Sequence, residues 1–112
     1  MTMEIHNYLN KTKNIYTNII DYIEDESNFE ERFQRLNDFF DEQSIKDSKY
    51  QVKEILHILS QIAKNHHRDQ HFFDKFEKII LYFKDSIPQY LTNIEVFNLF
   101  RGNYRALLYL IK

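Results

Sequence analysis

Cysteine is absent from this chain of 112 residues, and glycine and proline occur once each. Without cysteine there is no disulfide, no thiolate metal site and no cysteine nucleophile. A β-sandwich or barrel of this length needs many turn residues, and nucleotide-binding α/β folds need glycines in their phosphate-binding turns. The shortage of both turn residues excludes these folds and predicts helices joined by short polar connections.

Alanine is nearly absent as well, occurring only at Ala63 and Ala106. Helices in this chain therefore cannot depend on alanine propensity and have to be held by packing of their apolar faces. The chain contains ten phenylalanines and eight tyrosines but no tryptophan. We expect a core made of aromatic, isoleucine and leucine side chains.

No apolar run is long enough to span a membrane, and the first residues lack the pattern of a signal peptide, so the sequence predicts a cytoplasmic protein. The net charge of −2 is uneven, with −6 over residues 1–48 and +4 over residues 49–112. The basic residues do not cluster as a nucleic-acid surface requires, and the aromatic residues fall at core spacing. We expect neither a nucleic acid nor a membrane as partner.

Apolar residues recur at steps of three and four residues along most of the chain, which is the pattern of amphipathic helices. Helix starts are indicated at Ser27, at Asp47 or Ser48, and at Asp69, Thr92 and Asn103. Ser27, Ser48 and Thr92 open Ser/Thr-x-x-Glu/Gln capping boxes. The sequence predicts an all-α fold of five to six short helices, arranged as a bundle or a stack of helical hairpins. We expect a helical bundle over 1–91 and a terminal helix pair over 92–112, within one compact unit.

Apolar residues outside the main stripe widen the apolar face of several helices. Ile58 predicts a central position for the third helix, and Leu81 widens the fourth in the same way. The last helix is apolar nearly all round, which predicts that it is either buried in the core of this domain or covered by a further element. The expected interaction surface consists of Phe97, Phe100, Leu107, Leu108, Leu110 and Ile111.

Three histidines, at positions 66, 67 and 71, form the cluster that suggests chemistry. His67 and His71 have the i, i+4 spacing of two metal ligands, but the glutamate of the His-Glu-x-x-His motif is missing and Arg68 opposes a dication. No arginine is followed by a histidine at the spacing that small helical ribonucleases use. We therefore predict no enzyme activity, metal or cofactor, with a metal-dependent or ribonuclease-like enzyme centred on His66, His67 and His71 as the alternative.

Several segments together form a recognisable pattern: the His66-His67-Arg68 motif and residues 36–43, 56–60, 72–85, 93–103 and 105–111. Through these segments, most of the chain resembles the N-terminal helical region of protist ankyrin-repeat proteins. In that family the region precedes a run of ankyrin repeats, and its last helix pair leads into the first repeat. The resemblance implies a non-enzymatic protein-interaction module, the N-terminal cap of an ankyrin-type array, whose partners are the repeats or another protein. A homo-oligomer that uses the last helix is a further alternative.

Overall fold

The computed structural model describes residues 2–24, 29–66 and 68–111, and within these ranges all regular secondary structure is helical. Seven α-helices are present there: α1 (Thr2–Glu24), α2 (Phe29–Glu42), α3 (Lys49–Ala63), α4 (Gln70–Tyr82), α5 (Ser86–Tyr90), α6 (Asn93–Leu99) and α7 (Tyr104–Leu110). The predicted all-α class is confirmed. The helices outnumber the expected five to six because the turn around Pro88 forms a helix of its own.

The chain divides into two compact units after Glu42, so the first unit covers 1–42 and the second covers 43–112. The expected boundary between 91 and 92 does not coincide with this division. Helices α6 and α7 belong to the same unit as α3, α4 and α5.

The first unit contains α1 and α2, which pack against each other. Ile15 and Ile19 of α1 and Leu36 and Phe40 of α2 are fully buried. Tyr22 is also buried, and its ring lies 5.7 Å from that of Phe33; burial raises the pKa of its hydroxyl above the ordinary tyrosine range. The predicted capping box at Ser27 lies outside the described residues.

A short 3-10 turn, Ile45–Asp47, opens the second unit and was not predicted. Ser44, which precedes it, has a φ of 53° and is the only described residue other than glycine with a positive φ. Left-handed backbone costs about 1–2 kcal/mol in a residue with a side chain. The conformation places Ile45 in the core, where it has no exposed surface.

Helix α3 begins as predicted at Ser48, whose hydroxyl accepts a hydrogen bond from the backbone N–H of Gln51 at 3.3 Å. The reciprocal half of this capping box is absent, because Gln51 Oε1 has no hydrogen-bond partner in the described part of the chain. The helix packs against the 3-10 turn, α5 and α6. Ile58 is buried along with the main stripe, consistent with the predicted central position.

Helix α4 begins at the predicted cap, Asp69, whose carboxylate accepts the backbone N–H groups of His71 and Phe72 at 3.0 and 3.3 Å. Its buried side is aromatic, with Phe72, Phe73 and Phe76 in mutual ring contact. Lys75 on this helix is fully buried, which the pattern of apolar residues did not predict.

Pro88 lies in the first turn of α5, six residues beyond the end of α4. The N–H groups of a helix's first turn have no intrahelical partner, so a proline there removes no hydrogen bond. The expected helical turn over 88–91 is therefore present but begins earlier, at Ser86.

Candidate interaction surface

Helix α6 is fixed at its start by the predicted capping box at Thr92. The Thr92 hydroxyl accepts the N–H of Glu95 at 3.2 Å, and the Glu95 carboxylate accepts the N–H of Thr92 at 3.1 Å. The same carboxylate pairs with Lys53 of α3 at 3.1 Å. The hydrogen bond from Thr92, followed by that from Lys53, holds the pKa of Glu95 below its usual range.

The turn between α6 and α7 contains the single glycine of the chain. Gly102 has a φ of +88°, a conformation that glycine adopts without steric cost. Asn103 follows as the cap of α7, and its side-chain oxygen accepts the N–H of Ala106 at 3.1 Å. Its amide nitrogen donates to the carbonyl of Ala63 at 3.3 Å, which ties the start of α7 to the end of α3.

One side of the α6–α7 hairpin packs on the aromatic side of α4. The Phe100 ring lies 5.8 Å from that of Phe76, and the Tyr109 ring stacks on Phe73 at 5.8 Å. The Arg105 guanidinium lies 4.5 Å from the centre of the Phe73 ring and donates a hydrogen bond to Gln70. These contacts fix which sides of α6 and α7 face away from the core.

Some residues of the predicted interaction surface are exposed, and others are buried in the core. Phe100 and Leu107 are buried and cannot take part in a surface contact in this conformation, because α6 and α7 turn them towards the core. Leu110 is half-buried. Phe97, Leu108 and Ile111 are 53%, 44% and 60% exposed, respectively.

Ile94 and Tyr104 are also exposed and were missed from the sequence. Of the eight large apolar side chains that are exposed in the described part of the chain, five lie between residues 94 and 111. We call them the hairpin surface: Ile94, Phe97, Tyr104, Leu108 and Ile111. The i, i+3 spacing on α6 and the i, i+4, i+7 spacing on α7 were the signals that could have identified it.

A groove of about 450 Å³ lies beside the hairpin surface, between α4, α5, α6 and α7. Its apolar walls come from all four helices and include Leu81, Pro88, Val96, Leu110 and Ile111. Glu77, Lys84, Asp85 and Asn93 supply the polar rim. Ile111 belongs to both the groove and the hairpin surface.

No known protein family, curated protein or solved structure matches the chain. The role of the hairpin surface and of the groove is therefore inferred from the residues that form them.

The histidine cluster is only partly described, because His67 lies outside the described residues. His66 Nδ1 is 3.3 Å from the carboxylate of Asp69, and its ring stacks on Phe72 at 5.0 Å. His71 follows the cap in the first turn of α4. Among the residues that the structure describes, no three histidine, aspartate or glutamate side chains are grouped as metal ligands. His66 thus packs against the start of α4 through its contacts with Asp69 and Phe72.

None of the described helices is long and apolar enough to cross a lipid bilayer.

Proposed function

We propose that this chain is a non-enzymatic protein-interaction module in which the hairpin surface receives a stacked helical hairpin, as the N-terminal cap of an ankyrin-type array. The observation that carries the proposal is the concentration of exposed large apolar side chains on α6 and α7. Contiguous apolar patches are uncommon on monomeric proteins and mark sites of contact with other macromolecules. A cytoplasmic location stays a prediction.

The size of the hairpin supports a solenoid partner. Helices α6 and α7 contain seven residues each and are joined by a four-residue connection, Phe100 to Asn103. An ankyrin repeat consists of a β-turn and two helices, and one repeat cannot bury its apolar face alone. A hairpin of this size with an uncovered apolar side is what the first unit of such an array presents to its neighbour.

The charge distribution on the hairpin also supports this function. The five residues of the hairpin surface are all uncharged. Glu95 is held by Thr92 and Lys53 at the start of α6, and Arg105 of α7 is held by Gln70 and Phe73. Stacking a second hairpin on the surface would therefore not require burial of an unpaired charge from these side chains, which would be costly.

The test is a fusion in which two consensus ankyrin repeats and a polar capping repeat follow residue 112. Because neighbouring repeats stabilise each other through their interface, we expect the fusion to unfold in a single transition at a higher temperature than the chain alone. Leu108→Glu places a charge in the middle of that interface. We expect it to separate the unfolding of the chain from that of the repeats, as measured by calorimetry and urea denaturation.

The matched control is Tyr16→Glu, which introduces the same charge at an exposed aromatic residue of α1. It should leave the single transition intact. Leu107→Glu is not a suitable test, because Leu107 is buried and the substitution would unfold the domain itself. Two independent transitions in the unsubstituted fusion, with the first at the temperature of the chain alone, would refute the stacking proposal.

A further inference from the structure

Helix α4 and the turn that follows it carry a second stripe, separate from the buried aromatic residues and formed by Glu77, Leu81 and Lys84. The three residues have i, i+4, i+7 spacing and line the same groove. Lys84 lies just beyond the last helical residue, but its backbone N–H donates to the Leu81 carbonyl at 3.2 Å. This bond forms a final turn after α4, and Lys84 lines the same groove as Glu77 and Leu81.

Most of the stripe is exposed, and its two charged side chains form no ion pair within the described residues. Leu81 is 58% exposed, Glu77 is half-buried and Lys84 is exposed. Neither the Glu77 carboxylate nor the Lys84 ammonium forms an ion pair or hydrogen bond with any other described residue. An apolar side chain thus lies between two available charges of opposite sign.

The side chains follow one another along the stripe in the order Glu77, Leu81, Lys84. A second copy that runs antiparallel therefore presents the opposite charge at each end of the stripe. With a rise of about 1.5 Å per residue, Glu77 and Lys84 are separated by roughly 10 Å along the helix, with Leu81 between them. A two-fold axis near Leu81 would bring each Glu77 opposite the Lys84 of another copy and the two leucines together. Such a contact is isologous, which is the commonest symmetry of homodimers.

We propose that the Glu77-Leu81-Lys84 stripe is a dimer interface at which a second copy of this chain docks antiparallel. The reciprocal order of charges favours an identical copy over an unrelated protein, because each charge finds its opposite without any further complementarity. The groove walls beside the stripe, Pro88 and Ile111, extend the contact with uncharged surface. Because Ile111 also belongs to the hairpin surface, the dimer is proposed for the chain without stacked repeats, and it does not depend on that stacking.

The dimer should be weak and sensitive to salt. Three residues and two groove walls offer less surface than the roughly 800 Å² per partner of a standard stable interface. Exposed ion pairs are screened at physiological ionic strength. Asp85, adjacent to Lys84 on the rim, opposes the Glu77 of the second copy, so Asp85→Asn should tighten the association.

The test is sedimentation equilibrium of the full chain over rising protein concentration at low salt. We expect a monomer–dimer equilibrium whose dissociation constant increases roughly tenfold in Glu77→Lys and in Lys84→Glu, since each reversal replaces two attractions with two repulsions. The double variant Glu77→Lys/Lys84→Glu should return to the wild-type constant. A mixture of the two single variants should form a heterodimer more readily than either forms a homodimer.

The control is Lys13→Glu, which changes the net charge as Lys84→Glu does but at an exposed position of α1. It should leave the dissociation constant within about twofold of wild type. A wild-type chain that stays monomeric at every concentration would overturn the proposal. So would a double variant that is as weak as the single ones, or a control that weakens the dimer equally. None of these results would affect the unfolding behaviour of the ankyrin fusion, so the two proposals can fail separately.

Discussion

Helices α3 and α4 have similarly broad apolar faces in the sequence but different surroundings in the second unit. The residue that widens the stripe of α3, Ile58, is 4% exposed, whereas its counterpart on α4, Leu81, is 58% exposed. Helix α3 packs against the 3-10 turn, α5 and α6, and the element that packs most closely on α4 is α7. An apolar residue outside the main stripe is thus either core or exposed surface, and the packing of another element over that position decides which.

The largest effect that separates the two helices comes from truncating these two residues. Ile58→Ala removes buried apolar volume and should lower the free energy of unfolding by about 2–4 kcal/mol. Leu81→Ala removes a side chain that is mostly in solvent and should change it by less than about 0.5 kcal/mol. Urea denaturation at low protein concentration, where the proposed dimer is dissociated, gives both values. Equal losses would show that Leu81 is as enclosed as Ile58.

A smaller effect on the free energy of unfolding is expected at the contact between the start of α7 and the end of α3. Asn103→Ala removes both the cap of α7 and the hydrogen bond to the Ala63 carbonyl, at a cost of about 2 kcal/mol. Asn103→Ser retains a capping oxygen but is too short to reach α3. The difference between the two variants measures the cap, and the remaining loss in Asn103→Ser, about 1 kcal/mol, measures the tie between helices.

If Asn103→Ser is as stable as wild type, the hydrogen bond to α3 contributes nothing, and α7 is held by its cap and by its packing on α4. Hydrogen exchange of the α7 amides would then be unchanged as well. Faster exchange confined to α7 is the result that we expect from loss of the tie.

Local signals in the sequence predicted helix starts well. Ser48, Asp69, Thr92 and Asn103 all cap helices, because a cap depends on residues within one turn of each other. The positive φ of Gly102 was predictable for the same reason. The all-α class followed from the shortage of turn residues.

Features that depend on distant neighbours were not predictable. Nothing local distinguishes Ile58 from Leu81, and nothing indicates that Ser44 takes a left-handed conformation to bury Ile45. In the candidate surface, periodicity identified α6 and α7 as apolar but not the sides that they turn to α4. Phe100 and Leu107 were therefore expected at the surface and lie in the core.

The smallest expected effect on stability comes from Asp69 at the start of α4, and it appears only at low pH. The backbone N–H of Phe72, with further hydrogen bonds from His66 and His71, holds the pKa of Asp69 below its usual range. A carboxyl group with a lowered pKa in the folded state stabilises the fold above its unfolded pKa, about 3.9, and loses that contribution as the pH falls through its folded value. Stability should therefore decline below about pH 4. The stability of Asp69→Ser, which keeps a capping oxygen but does not titrate, should decline less steeply.

Asp69→Ala, which also lacks the cap, should be less stable than Asp69→Ser at neutral pH, and its stability should show the same shallow dependence on pH. Urea midpoints measured across this pH range give both comparisons, and a slope unchanged by Asp69→Ser would mean that the cap stabilises α4 as a hydrogen-bond acceptor without a contribution from its charge.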